Sequence, residues 1–323
     1  MRVTNRMMIT NMMRNLNHNL GRMDKRQMQV ATGKRVHRPS DDPVAISRIL
    51  KIRADLSEIS QFQRNVDDAL SWMETTEQAV AHVGDSLQRL RELTVQASNG
   101  VLTNSETQKI KSEVEQIKDH IITLGNTTYA GRYVFSGKKT DQELFSADGN
   151  YNIPLGDAFD PSRVDDIMQV EVGVGETLEI NTLGIEIFDI VAPATVAAPP
   201  IEVGDKNVSV ADTPGIMAMI DAIVVKLESG DTEGLTNHLT EIDKYLNVNV
   251  TARAEIGAKS SRMEMISNRI ADDNLNFRSL QSKLEDADMG EVTMELMNEQ
   301  NVYRASLAVG ARIIQPSLID FLR

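Results

Sequence analysis

DPVAISRILKIRADLSEISQFQRNVDDALSWMETTEQAVAHVGDSLQRLRELTVQASNG, residues 42–100, carries one apolar stripe: Val44, Ile49, Ile52, Leu56, Ile59, Val66, Leu70, Met73, Val80 and Leu87. From Ile49 onward these residues recur at steps of three, four or seven. That is the period of a helix face, not of a strand, whose faces alternate at every second residue. Gln63, Glu77 and Gly84 fall in the same register as imperfections. Asp42 can cap such a helix, and Pro43 fits its first turn, where a missing N–H costs nothing. Asn99-Gly100 ends it. A helix continuous to Ser98 spans ~80 Å at about 1.5 Å per residue, longer than a compact domain is wide.

The same spacing returns on both sides. Upstream, Ile9, Met13, Leu16, Leu20, Met23 and Val30 form a seam with Gln27 as its polar member, and Gly33 stands where a left-handed C-cap is expected. Downstream, Ile110, Val114, Ile117, Ile121 and Leu124 lead to Gly125. After Tyr129 the texture changes. Tyr133-Val134-Phe135, the turn signal Asp148-Gly149, and the runs Ile167–Val172 and Thr177–Ile180 around Gly173 and Gly175 predict short strands and hairpins. Ala192–Pro200, with three prolines, reads as an irregular connection.

Helical spacing resumes at Pro214, with Thr213 or Asp212 as the expected cap, through Ile216, Ile220, Ile223 and Leu227. Past Gly230 or Gly234 a second long helix carries Ile256, Met263, Ile266, Ile270, Phe277, Leu280 and Leu284, with Lys259 and Asp273 in register. Leu284–Gly290 interrupts it. The last stripe is Val292, Leu296, Tyr303, Leu307, Ile314 and Leu318, and Pro316 ends its helix near Ile314.

This layout is close to mirror-symmetric. It predicts a mainly α fold with a β-rich insertion: long antiparallel helices folded back into a rod, with the N- and C-terminal helices paired. The expected parts are terminal helices at 1–40 with 290–323, a long-helix domain at 41–135 with 212–289, and an inserted domain at 136–211. Aromatics make up 4% of the 323 residues and there are 16 methionines, a composition suited to helix seams.

The net charge of −13 argues against nucleic acid as main partner. Up to Arg38, however, nine Lys or Arg face one acid, Asp24, which makes this start +8 and the remainder −21. A solvated or subunit-facing helix side is the plain reading of that start. There is no cysteine, hence no disulfide framework and no thiolate metal site. Arg6, Asn11 and Arg14 break up the apolar core that a secretory signal needs. No run approaches the ~20 apolar residues of a membrane span.

His18, His37, His82, His120 and His238 show no metal-ligand spacing. Gly173-Val174-Gly175 continues with Leu178 where a dinucleotide fingerprint needs glycine. Loop and cap chemistry explains Asp41-Asp42 better than a cation or general acid–base role. The expectation is no enzyme, no catalytic residue, no metal and no cofactor.

At Ala31-Thr32-Gly33-Lys34-Arg35-Val36-His37-Arg38-Pro39-Ser40-Asp41-Asp42-Pro43 the chain resembles the flagellin superfamily, and within it the junction branch, where G-K-R-V-x-R-P-S-D-D-P is typical. Gln63–Ala69, Arg91–Ala97, Gly131–Gly137, Tyr303–Ala311 and Gln315–Leu322 fit the same family. The resemblance covers roughly 1–140 and 215–323. It implies a structural role at the hook–filament junction, with an adjoining hook-associated protein, flagellin and further axial subunits as partners. It also implies an extracellular place in the flagellum, reached through the flagellar type III apparatus with a cytoplasmic chaperone and no cleaved signal. A filament-forming flagellin is the alternative.

The terminal stripes have a physical consequence of their own. Ordering a helix of ~30 residues costs on the order of 1–2 kcal/mol per residue in backbone entropy. Six or seven buried seam side chains return roughly 1.5–3 kcal/mol each. Such helices are marginal without partners, and residues 1 to about 38 and 291–323 are expected to stay mobile in the monomer and to order only in the assembled axial structure. The expected interface is Ile9, Met13, Leu16, Leu20 and Met23 against Leu296, Tyr303, Leu307 and Ile314.

Overall fold

The computed structural model describes residues 5–99, 104–152, 167–189 and 213–314. Their elements run α1 (Asn5–Thr32), α2 (Pro43–Ser98), α3 (Asn104–Gly125), β1 (Thr128–Tyr129), β2 (Arg132–Tyr133), β3 (Gln169–Gly173), β4 (Glu176–Glu179), α4 (Gly184–Phe188), α5 (Gly215–Ser229), α6 (Thr232–Glu285) and α7 (Met289–Ile314). The protein is mainly helical, with two small antiparallel hairpins, β1–β2 and β3–β4. The expected strands at 167–172 and 177–180 are the β3–β4 hairpin, which turns through Gly175 at φ 72°. The irregular connection expected at 192–200 lies outside the described residues.

Two compact units form. Residues 1–60 with 272–323 make one, here called the terminal unit, and 61–271 make the other, the central unit. Both α2 and α6 contribute a stretch to each.

In the central unit most of each stripe is buried, with Leu70, Ile117 and Leu124 half-buried. Val66, Met73, Val80 and Leu87 of α2, Ile110, Val114 and Ile121 of α3, Ile216, Ile220 and Ile223 of α5, and Ile256, Met263, Ile266 and Ile270 of α6 are all buried. The imperfections in the α2 stripe mark where α6 attaches. Gln63 donates to Ser267 Oγ at 3.2 Å, and Glu77 accepts from Arg253 at 2.7 and 3.0 Å. At Gly84 a side chain would collide with buried Asn249, whose Nδ2 donates to the Val80 carbonyl at 2.8 Å. These three rungs set one antiparallel register between the two helices.

A second cluster gathers the aromatics. Phe135 and Phe145 both meet Phe188 edge-on, at 5.9 and 4.9 Å between ring centroids. Of the two expected caps of α5, Asp212 lies outside the described residues. Thr213 Oγ1 donates to Asn150 rather than capping, and Asp189 supplies the carboxylate that accepts from the Gly215 amide. Asp189 also accepts from the Tyr151 hydroxyl at 2.8 Å, while burial pushes that phenol's pKa well up. A cap from a residue 26 positions away leaves no local signal.

Candidate assembly surface

Four of the nine basic residues at the start of the chain, Arg22, Lys25, Arg26 and Lys34, are ion-paired within the terminal unit. α1 and α7 pair antiparallel through contacts that step by helical turns. Arg26 reaches Glu295 at 2.8 Å, Arg22 reaches Glu299 at 2.9 Å, and Asn19 Nδ2 donates to Ser306 Oγ at 3.2 Å. Further along, Met12 faces Gly310. Partly exposed ion pairs are worth about 0–1 kcal/mol each, so these select register more than they stabilise.

Gly33 takes φ 71° and its amide donates to the Gln29 carbonyl at 2.9 Å, giving the left-handed C-cap of α1. The following loop pairs with the α6–α7 connection. The Arg35 amide donates to the Glu285 carbonyl at 2.7 Å, and the Ala287 amide to the Gly33 carbonyl at 2.9 Å. Aspartates cap both downstream helices: Asp42 Oδ1 accepts from the Ala45 amide at 2.9 Å, and Asp288 Oδ1 from the Gly290 amide at 2.9 Å. Asp41 takes a different part, paired with Lys25 at 3.0 Å, and that hydrogen bond holds its carboxyl below the usual range.

Glu285 is the centre of this connection and was not singled out by sequence, where it sat in an acidic helix break. It is only 2% exposed. Its carboxylate accepts from Lys34 Nζ, from Arg53 at 2.5 Å and from Gln281 at 2.8 Å. Burial alone would raise its pKa, but the bonds from Lys34, Gln281 and Arg53 outweigh it and hold the group at about 2. An unfolded glutamate titrates near 4.5, so the stability from this cluster is complete above that pH and drains as the pH falls towards 2. Lys34 and Arg53 are half open to water, which trims the effect to roughly 2 kcal/mol. Glu285→Gln is expected to cost that amount at pH 7 and to flatten the acid dependence. Hydrogen exchange at the Arg35 and Ala287 amides checks both.

The terminal unit is short of core. Among its described residues, the only buried apolar side chains are Val36, Ala45, Ile49 and Val292. The α2 and α6 stripes, largely buried in the central unit, lie mostly uncovered here: Ile52, Leu56, Ile59 and Phe277 are half-buried and Leu280 is exposed. On α1 and α7, Met7, Met8, Met13, Met28, Met289, Met294, Met297, Val302, Leu307 and Val309 are exposed.

Of the expected interface residues, Ile9, Leu16, Leu20, Met23, Leu296 and Tyr303 are half-buried. Met13 and Leu307 stand out at 47% and 45% exposure. The Ile314 side chain lies outside the described residues. Gln27, the expected polar seam member, is exposed, while Asn19 and Gln29 are buried. An uncoiled helix drifts from a seven-residue repeat. The two amides tolerate burial because Ser306, Arg22, Arg26 and the Arg35 carbonyl satisfy them.

Among the described residues, no three or more His, Asp or Glu gather as metal ligands, and no helix is long and apolar enough to cross a membrane.

Residues 3–140 match the bacterial flagellin N-terminal helical region and residues 239–322 the flagellin C-terminal helical region. Flagellar hook-associated protein 3 of Escherichia coli K12 is 27% identical over 318 residues, 95% of each chain. A flagellin of Bacillus subtilis is 26% identical over 321 residues, 98% of this chain and 97% of its own. A solved putative flagellar hook-associated protein from Vibrio parahaemolyticus shares the fold at TM-score 0.61 and 22% identity, over 76% of this chain and all of its own. Hook associated protein-3 from Legionella pneumophila does so at TM-score 0.57 and 16% identity, over 73% of this chain and 98% of its own. The two helical regions together span more than half of the sequence, and the chain belongs to the bacterial flagellin family, among relatives that include hook-associated protein 3 and the flagellins.

Proposed function

We propose that the chain is a structural, non-enzymatic junction subunit, joining the flagellar hook, through an adjoining hook-associated protein, to the flagellin filament. The observation that carries the docking part is the unfinished core of the terminal unit: four buried apolar side chains among its described residues, and ten exposed apolar ones on α1 and α7. Packing those exposed side chains against neighbouring subunits supplies the burial the unit lacks. Residues 1–40 with 290–323 then act as the assembly helices, supported by 41–135 with 212–289, while 136–211 is an inserted domain. Support for the junction comes from the relatives named hook-associated protein 3 and from the loop at 33–43. In this reading the chain is exported through the flagellar type III route with a chaperone, keeps its N-terminus, and works outside the cell.

Similarity to flagellin along nearly the whole chain favours a second reading, a filament-forming subunit. Deleting the gene separates the two when combined with polymerisation of the purified protein. A junction subunit leaves hooks without filaments, sheds flagellin into the medium, and does not grow long filaments alone. Long filaments from the pure protein favour the second reading; normal filaments on the deleted strain reject both.

A further inference from the structure

Methionine exposure is concentrated in the terminal unit. In the central unit Met73, Met217, Met219 and Met263 are buried, Met168 is half-buried and Met265 is exposed. Of the nine described on α1 and α7, none is buried: Met12 and Met23 are half-buried and the other seven are exposed, with Met294 and Met297 at 69% and 59%. The chain has no cysteine, and its one tryptophan, Trp72, is buried. Thioethers are therefore the most oxidisable groups that the terminal unit offers to solvent.

We propose that these methionines are an oxidation-controlled docking face: peroxide converts them to sulfoxides, and the sulfoxides stop α1 and α7 from docking on the terminal helices of another flagellin-family subunit. This rests on the reading that α1 and α7 dock, and adds what controls it. The occupant follows from the surface itself. The face continues a helix pair already joined by helical-turn steps, and the matched family regions supply similar helices in its relatives. Unbranched thioethers also suit a surface that must fit two dissimilar neighbours, because they repack at little cost.

The chemistry is a two-electron oxygen transfer. The sulfur lone pair attacks one peroxide oxygen, an S–O bond forms as the O–O bond breaks, and the displaced hydroxide takes the remaining proton and leaves as water. Methionine sulfoxide carries a strong dipole that needs a hydrogen-bond partner when buried. A docking face of apolar helices offers few. Each sulfoxide buried without a partner weakens docking about tenfold. Docked subunits shield the same sulfurs, so the control acts on the subunit before assembly.

The test uses the full-length protein, dilute hydrogen peroxide, peptide mass spectrometry and addition to hook-bearing cells that lack the chain. Expected are sulfoxides on the seven exposed methionines of α1 and α7 at least about tenfold ahead of the four buried ones, unchanged Trp72 fluorescence, and filament restoration down about tenfold or more. In the variant Met7→Leu, Met8→Leu, Met13→Leu, Met28→Leu, Met289→Leu, Met294→Leu, Met297→Leu, the drop on peroxide treatment shrinks towards none, whatever its starting level. Unaltered restoration by protein carrying those sulfoxides, or an equal drop in the leucine variant, overturns the inference while leaving the docking reading intact. Restoration by a chain lacking α1 and α7 overturns both.

Discussion

Gly125→Ala is expected to destabilise the central unit by about 3 kcal/mol, a single methyl with a core-sized effect. Gly125 closes α3, and a Cβ there would stand 2.3 Å from Phe145 Cε2, 2.5 Å from its Cδ2 and 3.4 Å from Phe188 Cζ. The Phe145 ring has nowhere to retreat. It is fully buried, with Phe188 at 4.9 Å on one side and Tyr151 at 5.4 Å on another. Overpacking of this kind costs roughly 1–3 kcal/mol or more, against at most about 1 kcal/mol of helix propensity gained by losing a glycine. The melting midpoint of the unit should fall by about 6–12 °C. Trp72, the only tryptophan and buried in the same unit, reports it by fluorescence. Gly257→Ala supplies the opposite sign. That glycine sits inside α6 with nothing within 4 Å of a new methyl, so the change should stabilise by about 1 kcal/mol. If the two substitutions moved the midpoint alike, steric conflict at Phe145 would not be the cause.

What the sequence made legible was local. The stripes of α2, α3, α5 and α6, the αL stop at Gly33 and the cap at Asp42 each depend on residues within a few positions of one another. The illegible features depend on partners that arrive from far along the chain. Gln63, Glu77 and Gly84 read as flaws in a stripe, and their partners on α6 lie 165 to 204 positions away. Glu285 looked like one acid of a helix break because Lys34 and Arg53 come from 251 and 232 positions upstream. The interface residues show a third case. A stripe states which side chains favour burial, not how many neighbours exist to bury them, and so Met13 and Leu307 were placed with the same weight as Leu16 and Tyr303. One chain buries most of its stripe in the central unit and leaves most of it open in the terminal unit. Only contacts distinguish the two, because the sequence period is the same in both.

Gly310→Val is expected to abolish filament restoration while leaving the central unit unchanged. Gly310 is buried on α7, and a Cβ there would lie 1.9 Å from Met12 Cε and 3.0 Å from its Sδ. A lone methyl can be met by rotating the flexible Met12 side chain, so Gly310→Ala should be mild. A branched valine fills both sides of the contact and forces α1 and α7 apart, one turn from the Asn19–Ser306 hydrogen bond that shares the register. In the proposed assembly the exposed surfaces of α1 and α7 dock as one face, and separating the helices breaks that face into two. A loss of roughly 2 kcal/mol at this contact already corresponds to about thirtyfold in docking. Trp72 fluorescence should melt within about 1 °C of the parent chain, since distant sites act independently. Ordinary filaments on cells carrying Gly310→Val would mean that close pairing of the terminal helices is not what docks. A parallel fall in the Trp72 midpoint would instead trace the lost function to general unfolding, so assembly and stability are read in one experiment.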